Sequence, residues 1–235
     1  MEAAEAKVRP EGLAAAQRLA GSVALGPIAG HKGVFLCHIL CELGALDGVP
    51  ALRDIRDWMD RNPREVLLLV VEDTAPAAVI KDAFERSGLA AYANEFQPLS
   101  GRPFPTLRQM IDSGKRLFVM AEDHGESSGW YHRAYDVMME TPFAFRSPGE
   151  LQTDASCRPN RGGTGKPLFL VNSWVESYPP DPRNADVVNQ RKNLVERARR
   201  CERLRGHVAN LLAVDFVERG DLIGATDELN GVTTR

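Results

Sequence analysis

Val66-Leu67-Leu68-Leu69-Val70-Val71-Glu72-Asp73-Thr74 decides how this chain is organised. Its uninterrupted aliphatic run is short for a helix and rich in β-branched residues, the pattern of a strand buried on both faces, as in a parallel sheet. The run stops on two carboxylates and a hydroxyl. In parallel α/β proteins ligands and catalytic groups collect at the carboxyl ends of the strands, so polar side chains placed there are the first candidates for chemistry.

The same alternation extends in both directions. Upstream, Asn62-Pro63 ends an amphipathic helix expected over residues 49–61 on the spacing of Leu52, Ile55 and Met59. Before it, the apolar run Val34-Phe35-Leu36-Cys37 delivers His38, a titratable ring suited to acid or base work. Residues 11–21 read as a short alanine-rich helix. Downstream, a helix over 76–87 closes at Gly88, and a short helix over 106–112 precedes a strand over 116–121 that ends in Glu122-Asp123-His124. Residues 130–139 read as another helix, and an irregular stretch over 141–166 leads to a strand over 168–172. A helix over 184–205, a strand over 211–216 ending at Asp215, and a helix over 221–229 complete the series.

Five strand-then-helix units, with connections too long for hairpins, imply a parallel sheet. Polar residues at the strand ends, His38, Glu72, Glu122, Asn172 and Asp215, suit a barrel whose chemistry sits on one rim. A closed barrel of that kind needs more strands than five, so the fold is either an open sheet or a barrel lacking strands.

Composition narrows the function classes. With 235 residues, 29 Lys and Arg against 32 Asp and Glu, and 43% hydrophobic residues, the chain suits one large α/β domain or two small ones. A net charge of −3 gives no nucleic-acid footprint. The arginines of 191–205 are interrupted by Glu196 and Glu202 and read as a solvated helix face. No apolar run approaches the roughly 18 residues that span a bilayer, and the N-terminus lacks the charged-then-apolar pattern of a signal peptide.

Cys37, Cys41, Cys157 and Cys201 show no Cys-x-x-Cys zinc spacing and allow three disulfide pairings. The preferred one joins Cys37 to Cys41 and Cys157 to Cys201, which implies an oxidising compartment; four buried thiols in a cytosolic protein are the alternative. Asn160-Arg-Gly-Gly-Thr-Gly-Lys166 lacks the first glycine of a phosphate-binding loop and has Pro167 in place of the hydroxyl residue, so it reads as an ordinary loop. Trp130-Tyr131-His132 fits a sugar-stacking platform or a packing anchor.

Taken in order, several segments resemble one family. They are Phe35-Leu-Cys-His-Ile-Leu-Cys-Glu-Leu-Gly-Ala45, Ile55-Arg-Asp-Trp-Met-Asp-Arg-Asn-Pro-Arg-Glu-Val66, Val71-Glu-Asp73, Pro105-Thr-Leu-Arg-Gln-Met-Ile-Asp-Ser-Gly-Lys-Arg116, Trp130-Tyr-His132, Glu140-Thr-Pro142 and Ala213-Val-Asp-Phe216. Over roughly residues 11–230 the series resembles the catalytic X domain of phosphatidylinositol-specific phospholipase C, in its bacterial and fungal-like branch. The resemblance implies an α/β fold, an irregular TIM-type (β/α) barrel. It would form one PLC-like phosphodiesterase domain over 1–235, with about 1–10 and 231–235 as tails.

The resemblance further implies a phosphoric diester hydrolase in which the neighbouring inositol hydroxyl attacks phosphorus. One histidine takes its proton and a second protonates the leaving diacylglycerol oxygen, because in-line displacement needs an acid and a base on opposite sides of phosphorus. His38 matches the second histidine, the general acid. Asp215 matches an aspartate that orients a catalytic histidine, and it can equally cap the helix starting near Asp221. Glu72 falls where calcium-dependent members hold Ca²⁺ through a carboxylate, a hard oxygen ligand; it can equally cap the helix starting near Pro76 or pair with an arginine. The acidic end of the strand over 116–121 departs from the lysines of polyphosphoinositide-cleaving relatives. That leaves phosphatidylinositol, a glycosylated form or another phosphodiester.

The family's first histidine lies in a Thr-His-Asn type motif that this sequence does not contain, and the Leu-Asp-x-Arg type motif is absent too. His31, between Gly30 and Lys32, reads as a surface residue. The chain is therefore expected to begin after the family's second strand and to be incomplete at its N-terminus. The expected partners are a phospholipid or inositol phosphodiester substrate and, transiently, a membrane surface, with no nucleic acid and no transmembrane segment. A secreted or cell-envelope location is expected for the full-length member. Two further readings stay open: a catalytically inactive relative that binds a headgroup or lipid, and an unrelated α/β interaction domain.

Overall fold

A computed structural model describes residues 23–28, 33–38, 44–97, 101–177 and 180–232, which fall into two units, Met1–Asp136 and Val137–Arg235. The first contains β1 (Val23–Gly26), β2 (Phe35–His38), β3 (Ala45–Asp47), α1 (Gly48–Arg61), β4 (Leu67–Asp73), α2 (Ala77–Ser87), α3 (Leu107–Ser113), β5 (Leu117–Ala121) and β6 (Tyr131–Arg133). Its sheet has the order β3-β2-β1-β4-β5-β6. A single turn, α4 (Ala134–Val137), leads to the second unit, which holds β7 (Met138–Glu140), α5 (Pro148–Leu151), β8 (Leu168–Asn172), α6 (Pro182–Val188), α7 (Arg191–Arg205), β9 (Leu211–Ala213) and α8 (Leu222–Leu229). There the order is β7-β8-β9, parallel throughout.

The α/β class and its parallel strands match the expectation. In the first unit β1, β4, β5 and β6 all run parallel. However, β2 pairs antiparallel with both β1 and β3, so the all-parallel reading fails at that edge. β1 and β3 are only four and three residues long, too short to show a period, and the sequence alone did not reveal them.

The boundaries follow local chemistry. Asp47 caps α1 by accepting from the Val49 N–H at 3.0 Å. Gly48 approaches so closely that a Cβ there would stand 2.6 Å from the Val34 carbonyl oxygen, which accepts the Gly48 N–H at 2.7 Å. α2 ends on left-handed Gly88 (φ 81°), as its position in the sequence implied. Thr106 and Gln109 form a reciprocal capping box at the start of α3. Arg116, buried just before β5, donates to the carbonyls of Asn62 and Glu65 at 2.9 and 3.1 Å and so fixes the end of α1 against the sheet.

Leu117, Val119 and Ala121 of β5 lie in one core with Leu52 and Met59 of α1 and Ile80 and Phe84 of α2. Leu67, Leu69 and Val71 of β4 pack partly buried against it, while Val70, which alternates to the other face, is 41% exposed. β4 is therefore not the doubly buried strand its composition suggested.

Residues 130–139 are a second correction. Tyr131–Arg133 is a strand paired with β5, and Met138–Glu140 is a strand paired with β8, with only α4 between them. The sheet partners supply backbone hydrogen bonds that override a local helical pattern. The helix expected over 184–205 is two helices, α6 and α7, broken at Asn189 and Gln190. The helix expected over 11–21 lies outside the described residues.

In the second unit Cys157 and Cys201 are disulfide-bonded and sit in a core with Met139, Phe169 and Val171. Cys37 is also disulfide-bonded, and its expected partner Cys41 lies outside the described residues. α7 is not simply a solvated face. Arg197 is 1% exposed and donates to the carbonyls of Asn172 (3.0 and 2.8 Å) and Leu151 (2.9 Å), to Ser173 Oγ (3.2 Å) and to Ser156 Oγ. Burial and the neighbouring Arg200 lower its pKa to about 9, so it remains charged at neutral pH. Around it, Arg191 pairs with Asp221 and Arg199 with Glu228.

Candidate active site

The carboxyl ends of β4 and β5 carry a polar cluster. Val71 pairs with Ala121, so Glu72 and Glu122 follow side by side on the two strands, and the Glu122 N–H donates to the Val71 carbonyl at 2.9 Å. Glu122 Oε1 accepts from the Tyr135 hydroxyl at 2.9 Å. Asp73, the next residue of β4, is fully buried. A buried carboxylate persists only where donors replace water. Asp73 has them: the N–H groups of Asp123 and His124, each at 2.9 Å, and the Tyr131 hydroxyl at 3.0 Å. Burial first, and Asp73 second, push the Tyr131 pKa up, so the phenol stays protonated and keeps donating.

His124 stands over this carboxylate. Its Nδ1 lies 3.2 Å from the Asp73 carbonyl oxygen and 3.4 Å from Asp73 Oδ2, and its side chain is 45% exposed. The strand-end run Glu122-Asp123-His124 was visible in the sequence, but nothing there placed His124 against Asp73, because the pairing spans 51 positions.

The residues singled out from the sequence are distributed as follows. His38 is the last residue of β2, in register with Val23 of β1, whose next residue, Ala24, pairs with Glu72. Because β2 runs against β4, His38 reaches the neighbourhood of the β4 end through the stagger of the short β1 rather than through the common direction of a parallel rim. Across β1, its backbone is two strand spacings from β4, roughly 10 Å. Glu72 is half-buried. It does not cap α2, whose N-cap is Pro76 without a side-chain bond. Asp215 belongs to the other unit and lies two residues past β9, where Asn189 Nδ2 donates to its carbonyl at 2.8 Å. α8 is capped by Asp221, which accepts from the Gly224 N–H at 2.9 Å, so Asp215 does not serve as that cap. Asp215 is exposed and lines a small pocket with Trp174, Val175, Asp181 and Phe216. Phe216 is a non-glycine residue with positive φ, 49°.

At the ends of β7 and β8 in the second unit, Glu140 is fully buried. It accepts from Arg161 Nε at 2.6 Å and Nη2 at 3.1 Å, from Asn160 at 2.9 Å and from Asn172 at 3.2 Å. The loop Asn160–Lys166 thus supplies a structural clasp for a strand end, in line with its reading as an ordinary loop. Gly162 (φ 74°) permits it, since a Cβ there would meet the Met138 carbonyl oxygen at 2.0 Å.

Trp130-Tyr131-His132 acts as a packing anchor. Trp130 packs on Phe84 with ring centroids 5.3 Å apart, and His132 stacks on Phe118 at 4.4 Å. His132 is 1% exposed; Nε2 donates to the Asn94 carbonyl at 3.0 Å and Nδ1 is left without a partner. Burial lowers its pKa. The unfolded chain therefore takes up this proton first. Stability from the neutral ring is complete above an unfolded pKa of about 6.5 and declines as pH falls below it towards the depressed folded value. Urea midpoints measured from pH 8 to pH 5 should fall over the acid end of that range, and His132→Phe should flatten the fall. An identical pH profile in the variant would assign the effect elsewhere.

Among the described residues no group of three or more His, Cys, Asp and Glu side chains is placed to hold a metal ion, and no helix is long and apolar enough to cross a membrane. Glu72 and Glu122 alone are a partial set of the six to eight oxygens that calcium takes.

No solved structure matches the chain. A curated relative, PI-PLC X domain-containing protein 1 of Arthroderma benhamiae, is 27% identical over 226 residues, covering 86% of this chain and 72% of its own. The sequence profile of the PI-PLC X domain family (PI-PLC X 1) matches residues 27–230, a span that contains the β4 and β5 strand ends and His38, and the chain belongs to that family.

Proposed function

We propose that this protein cleaves the phosphodiester of phosphatidylinositol, or of a glycosylated inositol lipid, by attack of the neighbouring inositol hydroxyl on phosphorus. The observation that carries the reading is the gathering of His124, Asp73, Glu72 and Glu122 at the carboxyl ends of β4 and β5 in a chain of the PI-PLC X domain family. His38 serves as the general acid for the leaving diacylglycerol oxygen. Glu72, with Glu122 beside it, would offer hard oxygens to calcium, which would offset charge developing on the phosphoryl oxygens when bound. The substrate is met at a membrane surface by transient contact. A secreted or cell-envelope location accords with the Cys157–Cys201 disulfide, which persists in oxidising compartments.

A second reading is an inactive relative that binds the headgroup. One assay separates the two. Vesicles containing phosphatidylinositol are incubated with the protein, with calcium or with a chelator, and release of cyclic inositol phosphate is followed. Release above the uncatalysed rate supports the hydrolase, and a loss of that release on chelation supports Glu72 as a calcium ligand. Saturable binding of myo-inositol 1-phosphate without turnover supports the inactive relative.

A further inference from the structure

Along most of α7 the exposed and half-buried basic side chains are matched by carboxylates. Arg191 faces Asp221, Lys192 faces Glu196, Arg199 faces Glu228 and Arg200 faces Asp154. The pairing stops at the last turn. Arg203 and Arg205 have no carboxylate within ion-pair distance among the described residues, and neither do Arg158 and Lys166.

The fold gathers these bases. Cys157 is bonded to Cys201, one turn before Arg205, which sets Arg158 beside the end of α7. Arg205 Nη1 donates to the Cys157 carbonyl at 3.3 Å, and Nη2 donates at 2.7 Å to the carbonyl of Gly163, in the loop that carries Lys166. The nearby carboxylates are engaged, Asp154 with Arg200 and Glu202 Oε1 with the Ala209 N–H at 3.0 Å. A chain with a net charge of −3 therefore presents a local excess of positive charge at this corner. The helix macrodipole accounts for bases in the last turn of α7, but not for Arg158 and Lys166, which come from a different segment. Leu204, next to Arg203, is 51% exposed, and Val208, just past the helix, is 66% exposed. Aliphatic side chains left in water among unpaired cations suit a partner with anionic heads over an apolar interior. An acidic polypeptide offers charge to the arginines but no apolar layer to Leu204 and Val208.

We propose that the end of α7, with Arg158, Lys166, Arg203, Leu204 and Val208, is the face by which the protein adsorbs to an anionic phospholipid surface, an inference that rests on the lipid-substrate reading above. The bases sit among the lipid phosphates, and the two aliphatic side chains enter the boundary between headgroups and acyl chains. Salt screens the attraction, so the contact is transient and weakens as ionic strength rises.

The test is co-sedimentation of the full chain with phosphatidylcholine vesicles, with and without phosphatidylglycerol. The wild type should pellet with the vesicles that contain phosphatidylglycerol and stay in solution with phosphatidylcholine alone. Arg158→Gln and Arg203→Gln should each weaken partition about fivefold, the usual share of one base near an anionic surface, and the double variant about 25-fold. Leu204→Ser should lower the part of the binding that persists at high salt. Arg146→Gln removes the same charge from an exposed arginine before α5 and should bind as wild type. Thermal midpoints should match the wild type throughout, since these side chains are exposed and carry no ion pair. Wild-type partition by the double variant overturns the assignment, and so does an equal loss in Arg146→Gln, which would reduce the effect to net charge. A wild type that ignores both vesicles overturns it as well, and its retention on immobilised polyglutamate would give the corner to an acidic polypeptide. Sedimentation reads adsorption without turnover. A wild type that pellets yet releases no inositol phosphate removes the hydrolase reading alone, and one that cleaves the lipid while the double variant binds unchanged removes only this face.

Discussion

His38→Ala should reduce cleavage of phosphatidylinositol by about two to four orders of magnitude, the usual contribution of a positioned acid or base. The diacylglycerol oxygen is a poor leaving group as an alkoxide, so without a proton donor the breaking bond must carry nearly a full negative charge. The same substitution should cost far less on a nitrophenyl phosphodiester, whose leaving oxygen needs no proton. Initial rates on the two substrates give the ratio directly, and circular dichroism establishes that the variant is folded. Equal losses on both would mean that His38 contributes something other than the leaving-group proton. A variant as active as wild type would remove His38 from the site. The placement of His38 in β2, which runs antiparallel to β1, makes the experiment informative. Its proximity to Glu72 depends on the stagger of a four-residue strand and not on the general direction of a parallel sheet.

Removing the Cys157–Cys201 disulfide by the double substitution C157A/C201A should lower stability by about 4 kcal/mol, from the chain entropy released when a closed loop is opened. The bond spans 44 positions, and the loss should appear as a fall in thermal midpoint of about 10 °C. Both cysteines are buried with Met139, Phe169 and Val171, so each truncation also removes contacts in a core built on β7 and β8. Arg197 raises the stakes. It ties Asn172, at the end of β8, to Leu151 and Ser156 in the segment the disulfide anchors, and a buried charge whose acceptors move loses its compensation for desolvation. Scanning calorimetry of the double variant against the oxidised wild type measures the effect. An unchanged midpoint would mean that the guanidinium and the core already hold that loop closed.

Much of this protein could be read from its sequence because it is locally encoded. The aliphatic run before Glu72, the Asn62-Pro63 stop and the glycine after α2 each fix a boundary through chemistry within a few residues. The ordered series of short motifs identified the family, since together they are specific where each piece is not. Four segments of three or four residues were not readable, because periodicity needs length: β1, β3, β6 and β7 exist only through their partners. Nor was the solvated reading of α7 right throughout, since nothing local distinguishes Arg197 from the exposed arginines around it.

The candidate site divides along the same line. His38, Glu72 and the run ending in His124 could be picked out as polar residues where apolar strands stop. That His124 turns back onto Asp73, that Tyr131 completes the same carboxylate, and that Asp215 falls beyond its strand were decided by tertiary structure alone. The reason is physical. A residue's propensity and its neighbours set whether it leaves a strand or caps a helix. The solvation of a buried carboxylate depends on donors supplied from 50 or more positions away, and only the packed sheet brings them within hydrogen-bonding distance.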